Sequence, residues 1–127
     1  LVSGGFTAFA GPVAEAIGFH EARANLLESE GGRLTGTVAR PILGRDAKVR
    51  ALEETAARLG IPESEVLAVG DGANDLGMLE RAGLGVALHA KPSVQARCEI
   101  RVNHGDLTAL LYLQGYARDE FAEPRAG

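Results

Sequence analysis

The run Val66-Leu67-Ala68-Val69, followed at once by Gly70-Asp71-Gly72-Ala73-Asn74-Asp75, constrains this chain more than any other stretch. Consecutive apolar residues bounded by turn formers describe a strand covered on both faces, the situation of a parallel sheet. The glycine-rich acidic turn delivers the chain into a helix carrying Leu76, Leu79 and Ala82, which Gly83 stops. Val86-Ala87-Leu88 repeats the strand. Pro92 to Cys98 gives a short helix with proline at its first position, Glu99 to Val102 a further strand, and Asp106 to about Tyr116 a last helix.

The first half carries related signals. Asp46 reads as an N-cap, after which Val49, Leu52, Ala56 and Leu59 form an apolar stripe ending at Gly60. Phe9, Val13 and Ile17 recur at four-residue steps in a helix closed by Gly18, with Gly11-Pro12 expected to kink or restart it. Ala24 to Glu28 and Leu34 to Val38 flank Gly31-Gly32 and predict a hairpin. Strand and helix alternate, so the expected fold is α/β: a Rossmann-like parallel sheet flanked by helices, with a small β-hairpin flap. It forms one domain over residues 1–117, and a polar tail over 118–127 is expected to fray.

Composition narrows the function classes. Seventeen acidic against 13 basic side chains leave a net charge of −4, and no Lys/Arg cluster is present, which argues against a nucleic-acid partner. No apolar run approaches the roughly 18 residues of a membrane span, and the first residues lack the basic and apolar regions of a signal peptide. A lone cysteine, Cys98, with scattered His20, His89 and His104 gives neither a disulfide nor a zinc framework, so the expected setting is cytoplasmic. Cys98 reads as a small buried hydrophobe, and His89 and His104 as loop or capping residues.

In an open parallel sheet, ligands sit beyond the carboxyl ends of the strands, and three polar groups fall there. Ser3-Gly4-Gly5 offers a hydroxyl and two unobstructed backbone N–H groups, a small anion cradle, although a glycine turn after a strand explains the same residues. Lys48, two residues after the expected N-cap, faces the positive end of a helix dipole and so wants an anion nearby; a solvated lysine explains it equally. Asp71 and Asp75 crowd one turn, and two charges about 4 Å apart repel by roughly 1 kcal/mol in water and about 4 kcal/mol in a partly buried cleft. A hard cation removes that penalty, and magnesium suits one or two carboxylates plus phosphate oxygens. Asn74 capping the following helix accounts for the second half of this turn but leaves Asp71 unexplained.

In order and type, Ser3, Lys48 and the Gly70-to-Asp75 turn resemble the second, third and fourth motifs of the haloacid dehalogenase superfamily of hydrolases. The context Leu1 to Thr7, Gly32 to Gly36, Gly70 to Leu79 and His89-Ala90-Lys91-Pro92 is similar to members acting on phosphoserine, and agreement runs to about Leu113. The resemblance implies magnesium-dependent hydrolysis of a phosphomonoester, phosphoserine first, through an aspartyl-phosphate and in serine biosynthesis. It implies that Ser3, Gly4 and Gly5 hold phosphoryl oxygens and that Lys48 neutralises charge on the phosphoryl group. Asp71 would ligate magnesium, Asp75 act from behind by orienting Lys48 or a bound water, and Asn74 contact phosphate or substrate.

The family's first motif, two aspartates separated by one residue, is absent from these 127 residues, as is the cap segment that follows it. The expectation is therefore the carboxyl-terminal part of a catalytic domain, inactive alone, which lacks the central strand of its sheet. A missing amino-terminal segment, or self-association, would cover the exposed sheet edge. A phosphatase for another small phosphomonoester and a non-catalytic phosphate- or magnesium-binding module are the alternatives.

Overall fold

The structure, a computed structural model, describes residues 1–40 and 42–122. Strand β1 (Val2–Phe6) leads directly into α1 (Thr7–Ile17) and back to β2 (Arg23–Asn25), which pairs parallel to β1. A hairpin of β3 (Leu27–Glu30) and β4 (Arg33–Val38) follows, turning through Gly31 and Gly32, both at positive φ. Helix α2 (Arg45–Leu59) then leads to β5 (Leu67–Gly70), a 3-10 turn (Ala73–Asp75), α3 (Leu76–Arg81), β6 (Leu84–Leu88), α4 (Pro92–Gln95), β7 (Ile100–Val102) and α5 (Thr108–Leu113). Strands β5, β6 and β7 form a second parallel sheet in that order. Among the described residues β1 is paired along one edge only, by β2, and β5 along one edge only, by β6.

The core lies on the second sheet. Val86, Ala87 and Val94 are fully buried, and Ala87, Ala90, Val94 and Cys98 pack with Leu52 of α2 and Leu76 and Leu79 of α3. Cys98 is a buried free thiol, as its sequence context suggested. No helix among the described residues is long and apolar enough to cross a membrane.

Several local expectations are corrected. Strand β1 continues through Ser3, Gly4 and Gly5 to Phe6, so these residues belong to the strand and not to a turn after it. Ala24 and Asn25 pair with β1, and the hairpin begins only at Leu27. Helix α1 runs through Pro12 without a break, and its buried face is Ala10 and Ala14, whereas Phe9, Val13 and Ile17 are exposed. The N-cap of α2 is Gly44, with Asp46 inside the first turn, and Leu59 lies outside the buried stripe. At the carboxyl end, Arg118–Glu120 forms a 3-10 turn and the Phe121 ring packs on Tyr112 with centroids 5.0 Å apart; residues 123–127 lie outside the described part.

An ion-pair network ties β2 to the outer face of α2. Glu21 bridges Arg23 and Arg58, and Arg23 reaches Glu54 at 2.6 Å. The hydrogen bond from Arg58, then that from Arg23, holds the Glu21 carboxyl below its usual range. A carboxylate with a lowered folded pKa adds stability above its unfolded pKa, about 4.3 for Glu, and that contribution disappears as pH falls through the folded value. Glu21→Gln should therefore show a small stability deficit at about pH 7 that closes toward about pH 3. Urea midpoints of both proteins across this range check it; a gap that widens in acid overturns it.

Candidate active site

The acidic turn is built by crowding. At the end of β5 the chain must bend within a few residues to enter α3, and the Asp75 side chain folds back under the bend. Asp75 Oδ2 accepts from the backbone N–H groups of Asp71 (3.0 Å) and Gly72 (3.1 Å), closing the turn that Asn74 was expected to cap. A Cβ on Gly70 would stand 2.5 Å from Asp75 Cβ, so only glycine leaves this carboxylate its place.

The other Asp75 oxygen, Oδ1, accepts from Lys48 Nζ at 2.6 Å. Both residues are buried, Lys48 at 7% and Asp75 at 4% exposure. Burial raises the Asp75 pKa, but the Lys48 hydrogen bond and the two backbone donors outweigh it and hold the carboxyl below its usual range. The anion that Lys48 wanted near the start of α2 is thus supplied first by the protein. Lys48 stands in the first turn of α2, its N–H bonded to Gly44 O at 3.1 Å.

Asp71 is exposed and lines a cavity of about 380 Å³ with Val69, Gly70, Leu88 and His89. Both Asp75 oxygens are engaged, so Asp71 is the carboxylate of this turn free to take a hard cation. Among the described residues no group of three or more His, Cys, Asp or Glu is placed to hold a metal. A single exposed carboxylate beside open space suits magnesium, which retains waters and shares phosphate oxygens with its substrate. Asn74 is exposed, its Oδ1 turned back over Gly72. His89 takes a positive φ of 45° and bonds through Nε2 to Gly105 O at 2.7 Å, a loop-holding role as its position implied.

Ser3 and Gly5 line a separate cavity of about 300 Å³ with Leu1, Phe6, Phe9, Ala10 and Val13. The Gly5 N–H donates to Ser3 Oγ at 3.0 Å, so that amide is occupied by the hydroxyl oxygen and the hydroxyl proton is left to donate outward. Asp75 joins Lys48 to the Asp71 backbone, whereas Ser3 and Gly5 line a different cavity from Asp71, and β1 is tied only to the segment just before α2, through an intermediary that the sequence did not suggest. This is Asn25, buried at 6% exposure, which bonds Gly4 on one side and Leu43, just before α2, on the other. The available signal was a lone amide inside the apolar run Ala24 to Leu27.

The model of the haloacid dehalogenase-like hydrolases matches residues 1–80. This chain belongs to that family. A phosphoserine phosphatase of Streptomyces coelicolor is 48% identical over 120 residues, which cover 94% of this chain and 29% of the relative. Among solved structures, an unliganded probable phosphoserine phosphatase from Vibrio cholerae superposes with a TM-score of 0.86 at 38% identity, over 90% of this chain and 35% of that one. A substrate-bound phosphoserine phosphatase complex superposes at 0.80 and 39% identity, over 88% and 53% respectively. The chain spans between 29% and 50% of the length of the curated relatives it matches. The α/β fold with parallel strands is that of these haloacid dehalogenase-like hydrolases.

Proposed function

We propose that residues 1–117 supply the phosphate- and magnesium-holding part of a phosphomonoester hydrolase whose substrate is phosphoserine. One arrangement carries this: a buried ammonium clamped by a carboxylate whose second oxygen fixes the turn presenting Asp71. The names of the relatives support the substrate. Ser3 and the Gly4 and Gly5 amides hold phosphoryl oxygens, the Gly5 N–H exchanging Ser3 Oγ for the ligand; Lys48 offsets phosphoryl charge; Asp75 keeps Lys48 aimed; Asn74 contacts phosphate or substrate. Such a site works by positioning and charge stabilisation. Magnesium on Asp71 would add charge neutralisation at the transferring group. The buried free thiol of Cys98 supports a cytoplasmic setting, and serine synthesis is the corresponding role.

No Asp-x-Asp pair occurs in the chain, so the aspartyl-phosphate forms on a carboxylate outside it. Among the described residues β1 and β5 are edge strands, as β2 and β7 are, which leaves an edge for a further strand to pair with, from a preceding segment or from association.

The 127-residue chain alone should release no phosphate from phosphoserine. Joined behind the amino-terminal part of the Streptomyces coelicolor relative, it should do so in a magnesium-dependent manner, with EDTA abolishing turnover. Asp71→Asn in that chimera should lower the rate by about 100-fold, the order lost when charge stabilisation at a reacting centre is removed. Steady release by the chain alone, or EDTA-resistant release by the chimera, overturns the assignment. Activity confined to other phosphomonoesters overturns the substrate.

A further inference from the structure

We infer that Asn25 is a positioning residue: its buried side-chain amide sets the angle at which the Gly4–Gly5 peptide of β1 is presented relative to the start of α2 and Lys48. The inference rests on the phosphate-holding role proposed for these elements.

Asn25 closes β2 in register with Phe6, so its backbone is fixed by the sheet. From there the side chain spans two segments. Nδ2 donates to Gly4 O at 3.0 Å and to Leu43 O at 3.4 Å, and Oδ1 accepts from Leu43 N at 2.6 Å. Gly4 C=O and Gly5 N–H belong to one planar peptide unit, so a donor holding the oxygen also fixes where the N–H points. That N–H points at Ser3 Oγ. Two successive glycines have the freest backbone available, and their orientation needs an external anchor. On the other side, Leu43 precedes Gly44, whose carbonyl accepts from Lys48 N and so begins the turn of helix carrying the ammonium. One amide thus couples the proposed phosphoryl cradle to the proposed phosphoryl cation. The chemistry requires asparagine: aspartate keeps the acceptor for Leu43 N but loses the donor for Gly4 O, and alanine loses both.

Amide exchange in the 127-residue chain, with inorganic phosphate as the probe, tests this. In Asn25→Asp the Gly5 amide should exchange about tenfold faster while Leu43 stays protected; in Asn25→Ala both should quicken. The Asp71 and Gly72 amides, held by Asp75, should not change in either variant. In the wild type, phosphate should shift the Ser3 and Gly5 amides and the Lys48 ammonium with one midpoint, and both variants should bind about tenfold more weakly. If all amides accelerate together, Asn25 is merely a stabilising residue and the inference fails; it fails too if Gly5 is unchanged. If Asn25→Ala does not fold, Asn25→Asp decides by the same Gly5-against-Leu43 split. A wild type silent to phosphate, with the exchange pattern as expected, overturns the phosphate-holding role and leaves the coupling supported.

Discussion

Replacing Lys48 by methionine should destabilise the chain by about 3–5 kcal/mol, the loss typical when one partner of a buried ion pair is removed. Methionine fills similar space, so the loss comes from charge and not from a cavity. It leaves the Asp75 carboxylate at 4% exposure with two backbone donors and no counter-ion. Domains of this kind are stable by only about 5–15 kcal/mol, so the variant should be marginal at room temperature. Asp75→Asn should cost a comparable amount, by leaving the ammonium unpaired and weakening the turn. The double variant should lose at least about 1 kcal/mol less than the sum, because the second change removes a charge already stranded by the first. Urea unfolding of the four proteins measures this. Strictly additive losses would mean that the pair contributes nothing as a pair.

That pair shows how far the sequence could be followed. A lysine in the first turn of a helix is electrostatically misplaced, and Lys48 signalled the need for an anion from composition and position alone. The family resemblance set Asp75 behind Lys48, with a bound water as its alternative target; spacing alone did not identify it, because Asp75 lies 27 residues further on and meets Lys48 only after α2 and α3 pack. The strands β5 and β6 and the helix between them were legible because their apolar runs are bounded by glycines. The buried face of α1 was not legible for a related reason: Phe9, Val13 and Ile17 have the spacing of a buried stripe, yet they are exposed and Ala10 and Ala14 are buried. Hydrophobic periodicity finds the helix but does not choose between two faces when one is merely small. Asn25 was missed because its partners are backbone atoms of Gly4 and Leu43, which no side-chain pattern reveals.

Gly70→Ala should destabilise the chain by about 3 kcal/mol or more, and Gly72→Ala by less than about 1 kcal/mol, although both glycines flank Asp71. Neither residue takes a positive φ, so conformational strain does not separate them. Space does. A Cβ on Gly70 would meet Asp75 Cβ at 2.5 Å, Cγ at 2.6 Å and Oδ2 at 2.7 Å, atoms close to the backbone of a residue bonded on both oxygens. Asp75 would have to leave, releasing Lys48 and the two N–H groups together. On Gly72 the nearest atom is Asn74 Oδ1 at 2.9 Å, the far end of an exposed side chain that can swing away. In Gly70→Ala the Asp71 and Gly72 amides should therefore lose their exchange protection, whereas Gly72→Ala should keep them protected. Equal losses in the two variants would show that crowding by Asp75 is not what selects glycine at the end of β5, and the geometry of the acidic turn would then need a cause other than steric exclusion.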